Sequence, residues 1–220
     1  KHPLLWAYLF AAYFSLCYHI PIYATGMSGF IGLRETILMS LMWLVPILLA
    51  PGYTRQLLAL SGLIMWPAAV ISVFYFIIYG QEFSQSTIFI VFESNIAEGS
   101  EFVSSYWQWW FIPVLLVFSA IPVWMWRQAR PLVIRRRKRF AYAALFTLIP
   151  FFPFISTALT EEDTTLSDAV YHQMKRMEPA APWNLVVGYA KYRQQMASMT
   201  ALLEKNRQVQ PLKNLKAKVA

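Results

Sequence analysis

The densest collection of groups able to do chemistry lies between residues 81 and 110, where Gln85, Ser94, Asn95, Glu98 and Glu101 occur with no Lys or Arg among them. If residues 94–102 are helical, Ser94, Glu98 and Glu101 fall at i, i+4 and i+7 and share one face, with Asn95 at its edge. A hydroxyl, an amide and two carboxylates then converge. Such a face suits a zwitterionic lipid head: a carboxylate pairs with an ammonium, while Ser94 and Asn95 hydrogen-bond phosphate oxygens. A plainer reading fits the same residues, a solvated loop whose acids follow the charge bias of membrane topology.

Other chemistry is sparse. His19 and His172 stand alone, with no His, Asp or Glu partner at ligand spacing, so each is expected as a capped or interfacial histidine and no metal site is expected in this chain. No Ser lies in a nucleophile-elbow context, and neither a P-loop nor a GxGxxG occurs. Cys17 is the only cysteine and can form no internal disulfide.

The elements that must position these groups are membrane spans. Of 220 residues, 58% are hydrophobic and only 14% charged, too few charges to clothe a soluble domain of this size. Residues 56–81 and 102–126 contain no Asp, Glu, Lys or Arg, and each run is long enough to cross a bilayer. Five spans are predicted, at residues 4–25, 36–53, 56–80, 102 or 110 to 126, and 140–159. Pro46, Pro67, Pro113, Pro122, Pro150 and Pro153 lie inside these runs and predict kinks, which bilayers tolerate.

Seven of the nineteen Lys and Arg residues fall between 127 and 139. Arg135, Arg136, Arg137, Lys138 and Arg139 read as a topology anchor that keeps this loop cytoplasmic. Nucleic-acid binding is excluded by the absence of a supporting fold or of aromatic interleaving. The loop 80–109, with Glu82, Glu93, Glu98 and Glu101, then faces outward, the N-terminus lies inside, and the C-terminal segment lies outside. Beyond residue 160, Leu166, Val170, Met174 and Met177 form one apolar stripe, and Tyr189, Tyr192, Met196, Met199 and Leu202 or Leu203 form another, with Pro179 and Pro182 separating them. The fold class is therefore an all-α membrane protein, five transmembrane helices plus periplasmic amphipathic or interfacial helices. Residues 1–160 would form the transmembrane domain, and residues 161–220 bridging helices and a linker.

Two blocks carry a resemblance. Tyr79-Gly80-Gln81-Glu82-Phe83-Ser84-Gln85-Ser86, followed by Phe92-Glu93-Ser94-Asn95 and Glu98-Gly99-Ser100-Glu101, resembles the lipopolysaccharide phosphoethanolamine transferases, most closely the CptA type. Arg176-Met177-Glu178-Pro179-Ala180-Ala181-Pro182-Trp183, then Gly188-Tyr189 and Tyr192-Arg193-Gln194-Gln195, resembles the segment that joins membrane and catalytic domains in that family.

The resemblance implies a bacterial inner-membrane enzyme that moves phosphoethanolamine from phosphatidylethanolamine to a phosphate on lipid A or the lipopolysaccharide core, a modification tied to polymyxin resistance. It implies that a zinc-dependent domain of the sulfatase or alkaline-phosphatase-like kind follows Ala220, that this chain holds none of its catalytic residues or zinc, and that the chain alone is inactive. It also places a membrane-side substrate motif on Ser94 and Glu98, with Ile90 where the lipid A branch has Asn, a position that Asn95 or Gln85 would have to replace. Membrane lipids and the catalytic domain are the remaining implied partners. Two alternatives stay open: the same family acting on a periplasmic glucan or protein, and a non-catalytic scaffold or transporter.

Overall fold

A computed structural model describes residues 2–27, 29–83, 85–160 and 166–208. Ser28, Ser84, the acids at 161–163 and the tail at 209–220 lie outside the described residues. Among the described residues ten α-helices follow one another: α1 Pro3–Ala24, α2 Phe30–Ser40, α3 Leu44–Leu49, α4 Thr54–Tyr79, α5 Gln85–Glu93, α6 Ile96–Tyr106, α7 Phe111–Arg127, α8 Arg136–Thr160, α9 Leu166–Met177 and α10 Trp183–Gln208. The described residues contain no strand.

Among the described residues four stretches are long and apolar enough to cross a membrane: Pro3–Ala24, Phe30–Leu49, Pro51–Tyr79 and Arg136–Thr157. A fifth arises only when α6 and α7 are counted as one span, and they meet at 98°. Of the two starts predicted for the fourth span, residue 110 fits α7, which begins at Phe111, whereas residue 102 falls within α6. The second span begins earlier than predicted, at Phe30, and is interrupted by a 3-10 turn at Leu41–Trp43. Pro46 explains the turn: its ring would collide with the Met42 carbonyl in a regular α-helix, and it has no N–H to offer that oxygen.

Helix α1 is the hub of the bundle, buried through Ala7, Phe10, Ala11, Ala12, Phe14, Tyr18 and Ile22. Gly62 lets α4 approach it, since a Cβ there would stand 2.9 Å from Phe10 Cζ. Small residues at helix contacts do in lipid what large apolar ones do in water, by letting backbones come close. Where Pro122 deprives the Phe118 carbonyl of its helical donor, Tyr13 from α1 donates its hydroxyl to that oxygen at 2.8 Å.

The bundle has a basic end and an acidic end. At the basic end His2 and Pro3 share a pocket with Gln128, Arg130 and Pro131, Trp126 Nε1–H donates to the Arg55 carbonyl at 2.9 Å, and Thr54 Oγ1 accepts from Leu132 N–H. Arg135, Arg136, Arg137 and Lys138 are exposed there, while Arg139 is half-buried at the start of α8. The acidic end carries α5, α6, α9 and the start of α10.

Candidate functional site at the acidic end

Residues 81–110 form two helices that break at Ser94-Asn95. The condition under which Ser94, Glu98 and Glu101 would share one face, a helix over residues 94–102, is not met: α6 starts at Ile96. Asn95 is the reason. Its Oδ1 accepts from Glu98 N–H at 2.9 Å, and the Glu98 carboxylate accepts from Asn95 N–H at 3.3 Å and from Nδ2 at 2.8 Å. This reciprocal cap satisfies N-terminal donors of α6 and forces extended backbone at Asn95, with ψ of 169°.

Ser94 therefore sits before the helix and off the face that Glu98 and Glu101 occupy. Its hydroxyl donates to the Ile90 carbonyl at 2.7 Å. Glu98 and Glu101 are exposed. A carboxylate offers about four lone-pair positions, so Glu98 keeps acceptor capacity after capping. Asn95 keeps one N–H. Gln85 opens α5, and its side chain lies outside the described residues. Ile90 is 66% exposed on the same helix.

The second motif block is buried machinery of another sort. Arg176 grips Glu35 with Nε at 3.1 Å and Nη2 at 2.9 and 3.0 Å, and Glu35 also accepts from Arg34. The Glu35 side chain is 3% exposed. Beyond α9, the carbonyl of Pro179 receives the Tyr18 hydroxyl at 2.7 Å and faces His19 Nε2 at 2.5 Å. Ala181 N–H donates to Ser15 Oγ, and Asn184 Nδ2 donates to Ser72 Oγ, each at 2.8 Å. Both prolines interrupt the helix here, and freed backbone groups find partners on α1 instead, while the Asn184 side chain reaches α4.

Helix α10 then meets α5. Gly188 lies under Ile88, where a Cβ would come within 2.0 Å of Ile88 Cδ1, and the rings of Phe89 and Tyr192 pack at 5.3 Å. Lys191 pairs with Glu178 at 2.8 Å. The segment thus fastens to the spans and, through α10, holds α5 in place.

Sequence reasoning anticipated the break at Pro179 and Pro182 and the capped His19. It missed Ser15, Glu35, Ser72, Asn184 and Arg176 as docking residues. A polar residue inside an otherwise apolar span is the signal that could have found Ser15, Ser72 and Glu35. The apolar stripe assigned to α9 is also corrected, because Leu166 and Val170 are exposed whereas Ala169 and Gln173 are buried. Gln173 turns inward since Nε2 donates to the Pro150 carbonyl of α8. On α10 Tyr192 is half-buried, and Met199, Leu202 and Leu203 are exposed. His172 is exposed at a pocket shared with Thr157, Gln173 and Arg176. Among the described residues no three His, Cys, Asp or Glu side chains come together as a metal site.

Fold and site together define a polytopic helical membrane protein with a hairpin of short helices clamped at one end. Its sequence is 37% identical over 215 residues, 96% of the chain, to a protein named phosphoethanolamine transferase EptC in Escherichia coli K12. It is 37% identical over 211 residues, 95% of the chain, to phosphoethanolamine transferase CptA of Salmonella typhimurium. These matches bear out the resemblance carried by the two motif blocks. The chain spans 37% of the length of the first relative and 36% of the second. No family model and no solved structure matches.

Proposed function

We propose that this chain is the membrane part of a phosphoethanolamine transferase that presents phosphatidylethanolamine to a periplasmic active site. The observation that carries the reading is the similarity of nearly all of this chain to part of two proteins of that name, a stretch that includes both the α5–α6 hairpin and the segment that fastens it. In this reading the basic end is cytoplasmic, the acidic end periplasmic, and the bilayer is the bacterial inner membrane. The chain's charge asymmetry supports that orientation.

The residues of the hairpin have complementary work. Glu98 directs its uncommitted lone pairs at the ammonium of the lipid head, and the remaining Asn95 N–H meets a phosphate oxygen. Glu101, one helical turn further on α6, adds negative charge that draws the ammonium in. Ser94 is held by Ile90 and contributes an acceptor, or a donor once that bond is exchanged.

Transfer itself belongs to further sequence, a catalytic domain that binds zinc, and the acceptor is a phosphate of the lipopolysaccharide core or lipid A. Zinc would supply Lewis-acid activation of the phosphoryl group there. The described residues of this chain offer no ligand set for it, so no step is assigned to it in this chain.

Glu98→Gln in the full-length protein tests the reading. Gln keeps the backbone half of the reciprocal cap and removes the charge and one acceptor oxygen, the one that meets Asn95 Nδ2, so the fold and zinc content should be unchanged. Mass spectrometry of lipopolysaccharide should show the phosphoethanolamine increment reduced by roughly tenfold or more, consistent with loss of a charge-assisted contact. A normal increment would overturn the role of Glu98, and an increment on a glucan or protein would move the acceptor.

A further inference from the structure

A groove between α1, α4 and α7 takes no part in the proposed presentation of lipid at the acidic end. It encloses about 490 Å³. Phe10 and Phe14 of α1 form its floor, which α4 can reach because Gly62 has no side chain to keep the helices apart. Its far end is closed near mid-bundle, where Trp66 Nε1–H donates to Ser119 Oγ at 3.0 Å. Its near end is Trp126, beside the basic loop.

Arg55 stands at that near end. On α4, Arg55, Ala59, Gly62, Leu63 and Trp66 recur at helical spacing, so the guanidinium and the groove wall lie on one stripe. The Arg55 guanidinium carbon stands over the Trp126 ring at 5.0 Å, while the same indole donates to the Arg55 carbonyl. Arg55 is exposed, and among the described residues no carboxylate forms an ion pair with it. Arg127 follows Trp126 and is also exposed. From Arg55 to Trp66 the helix rises about 16 Å, enough for most of an acyl chain.

We propose that this groove binds an anionic phospholipid from the leaflet at the basic end, with one acyl chain between α1, α4 and α7 and its phosphate on the Arg55 guanidinium. Chemistry selects that occupant. The groove is apolar and opens sideways to lipid, so water cannot fill it favourably. A fixed cation at its mouth, desolvated on one side by Trp126, gains from a phosphate of net negative charge. A zwitterionic head would bring its own cation against Arg55 and Arg127, and a neutral lipid would leave Arg55 unpaired. Basic pockets between spans are a general mode of anionic head-group recognition.

The test is tryptophan quenching by lipids with brominated acyl chains, because Trp66 and Trp126 line the groove. The full-length protein in neutral detergent is titrated with brominated phosphatidylglycerol or with brominated phosphatidylcholine of the same chains, and the Trp66→Phe protein identifies the groove's share of the signal. Phosphatidylglycerol should quench at a mole fraction about fivefold lower, the preference expected from one interfacial arginine. Arg55→Gln should abolish the preference, Arg55→Lys should keep most of it, and Ala59→Phe should diminish groove quenching by both lipids. Equal quenching by the two lipids in the unaltered protein would overturn the proposal, as would a preference that survives Arg55→Gln. Quenching is read without turnover, so this outcome is independent of whether the acidic end presents a transferase substrate.

Discussion

The docked segment from Arg176 to Gly188 and the α5–α6 hairpin lie at the same end of the bundle and use their polar groups in opposite ways. In the docked segment Arg176, Asn184 and the backbone at Pro179 and Ala181 bond to Glu35, Ser72, Tyr18 and Ser15 on the spans. In the hairpin Asn95 and Glu98 bond mainly to each other and remain exposed. Polar groups satisfied by distant elements fix geometry. Polar groups satisfied locally, with capacity to spare, are available to a ligand.

The sharpest way to break that contrast is to remove the deepest docking contact. Arg176→Met leaves the Glu35 carboxylate buried with only Arg34, whose side chain is 51% exposed, and should cost ~3 kcal/mol. Thermal unfolding in detergent should show it, and Glu35→Gln in the same protein should recover part of the loss. An unchanged midpoint would mean that the segment is not fastened through this pair.

Gly188→Val tests the link between the two regions. Its new side chain collides with Ile88 and should destabilise by ~2 kcal/mol, as overpacking does, and Ile88→Ala should relieve it. Transfer by the full-length protein should fall as α5 is displaced; undiminished transfer with a lowered midpoint would separate the hairpin from the site.

Asn95→Ala removes one side of the cap and should cost ~1 kcal/mol in local stability, visible as faster amide exchange at the start of α6 with little change in the global midpoint. The smallest effect on stability belongs to Glu98→Gln, within ~0.5 kcal/mol, although it should strongly affect transfer. If Glu98→Gln unfolded the protein as Arg176→Met should, Glu98 would be a structural residue like Glu35 and the contrast would collapse.

Much was legible in the chain itself. Charge-free runs disclosed the spans because a bilayer tolerates few ionised groups within it, and Arg135 to Arg139 against the acids of residues 80–109 disclosed two unlike ends. Pro179 and Pro182 marked the break between α9 and α10, since proline cannot continue a helix. The motif block around Glu98 pointed to the hairpin. Helical spacing alone misplaced Ser94, because it gave no weight to the competition that an Asn-x-x-Glu cap sets against helix continuation.

The partners of the polar residues in the spans were decided elsewhere. Nothing in local sequence says that Glu35 awaits Arg176, 141 positions away, or that Ser72 awaits Asn184. Local propensity acts over a few residues, whereas a buried carboxylate or hydroxyl requires whichever partner the packed helices bring to it. By itself the sequence determined which segments are helical, which are apolar enough to enter a bilayer, and which end carries which charge. Only the tertiary structure decided that Gln173 faces inward, that Glu35 meets Arg176, and that the docked segment clamps α5, because each depends on hydrogen-bond partners and contact surfaces that exist only once distant helices are packed together.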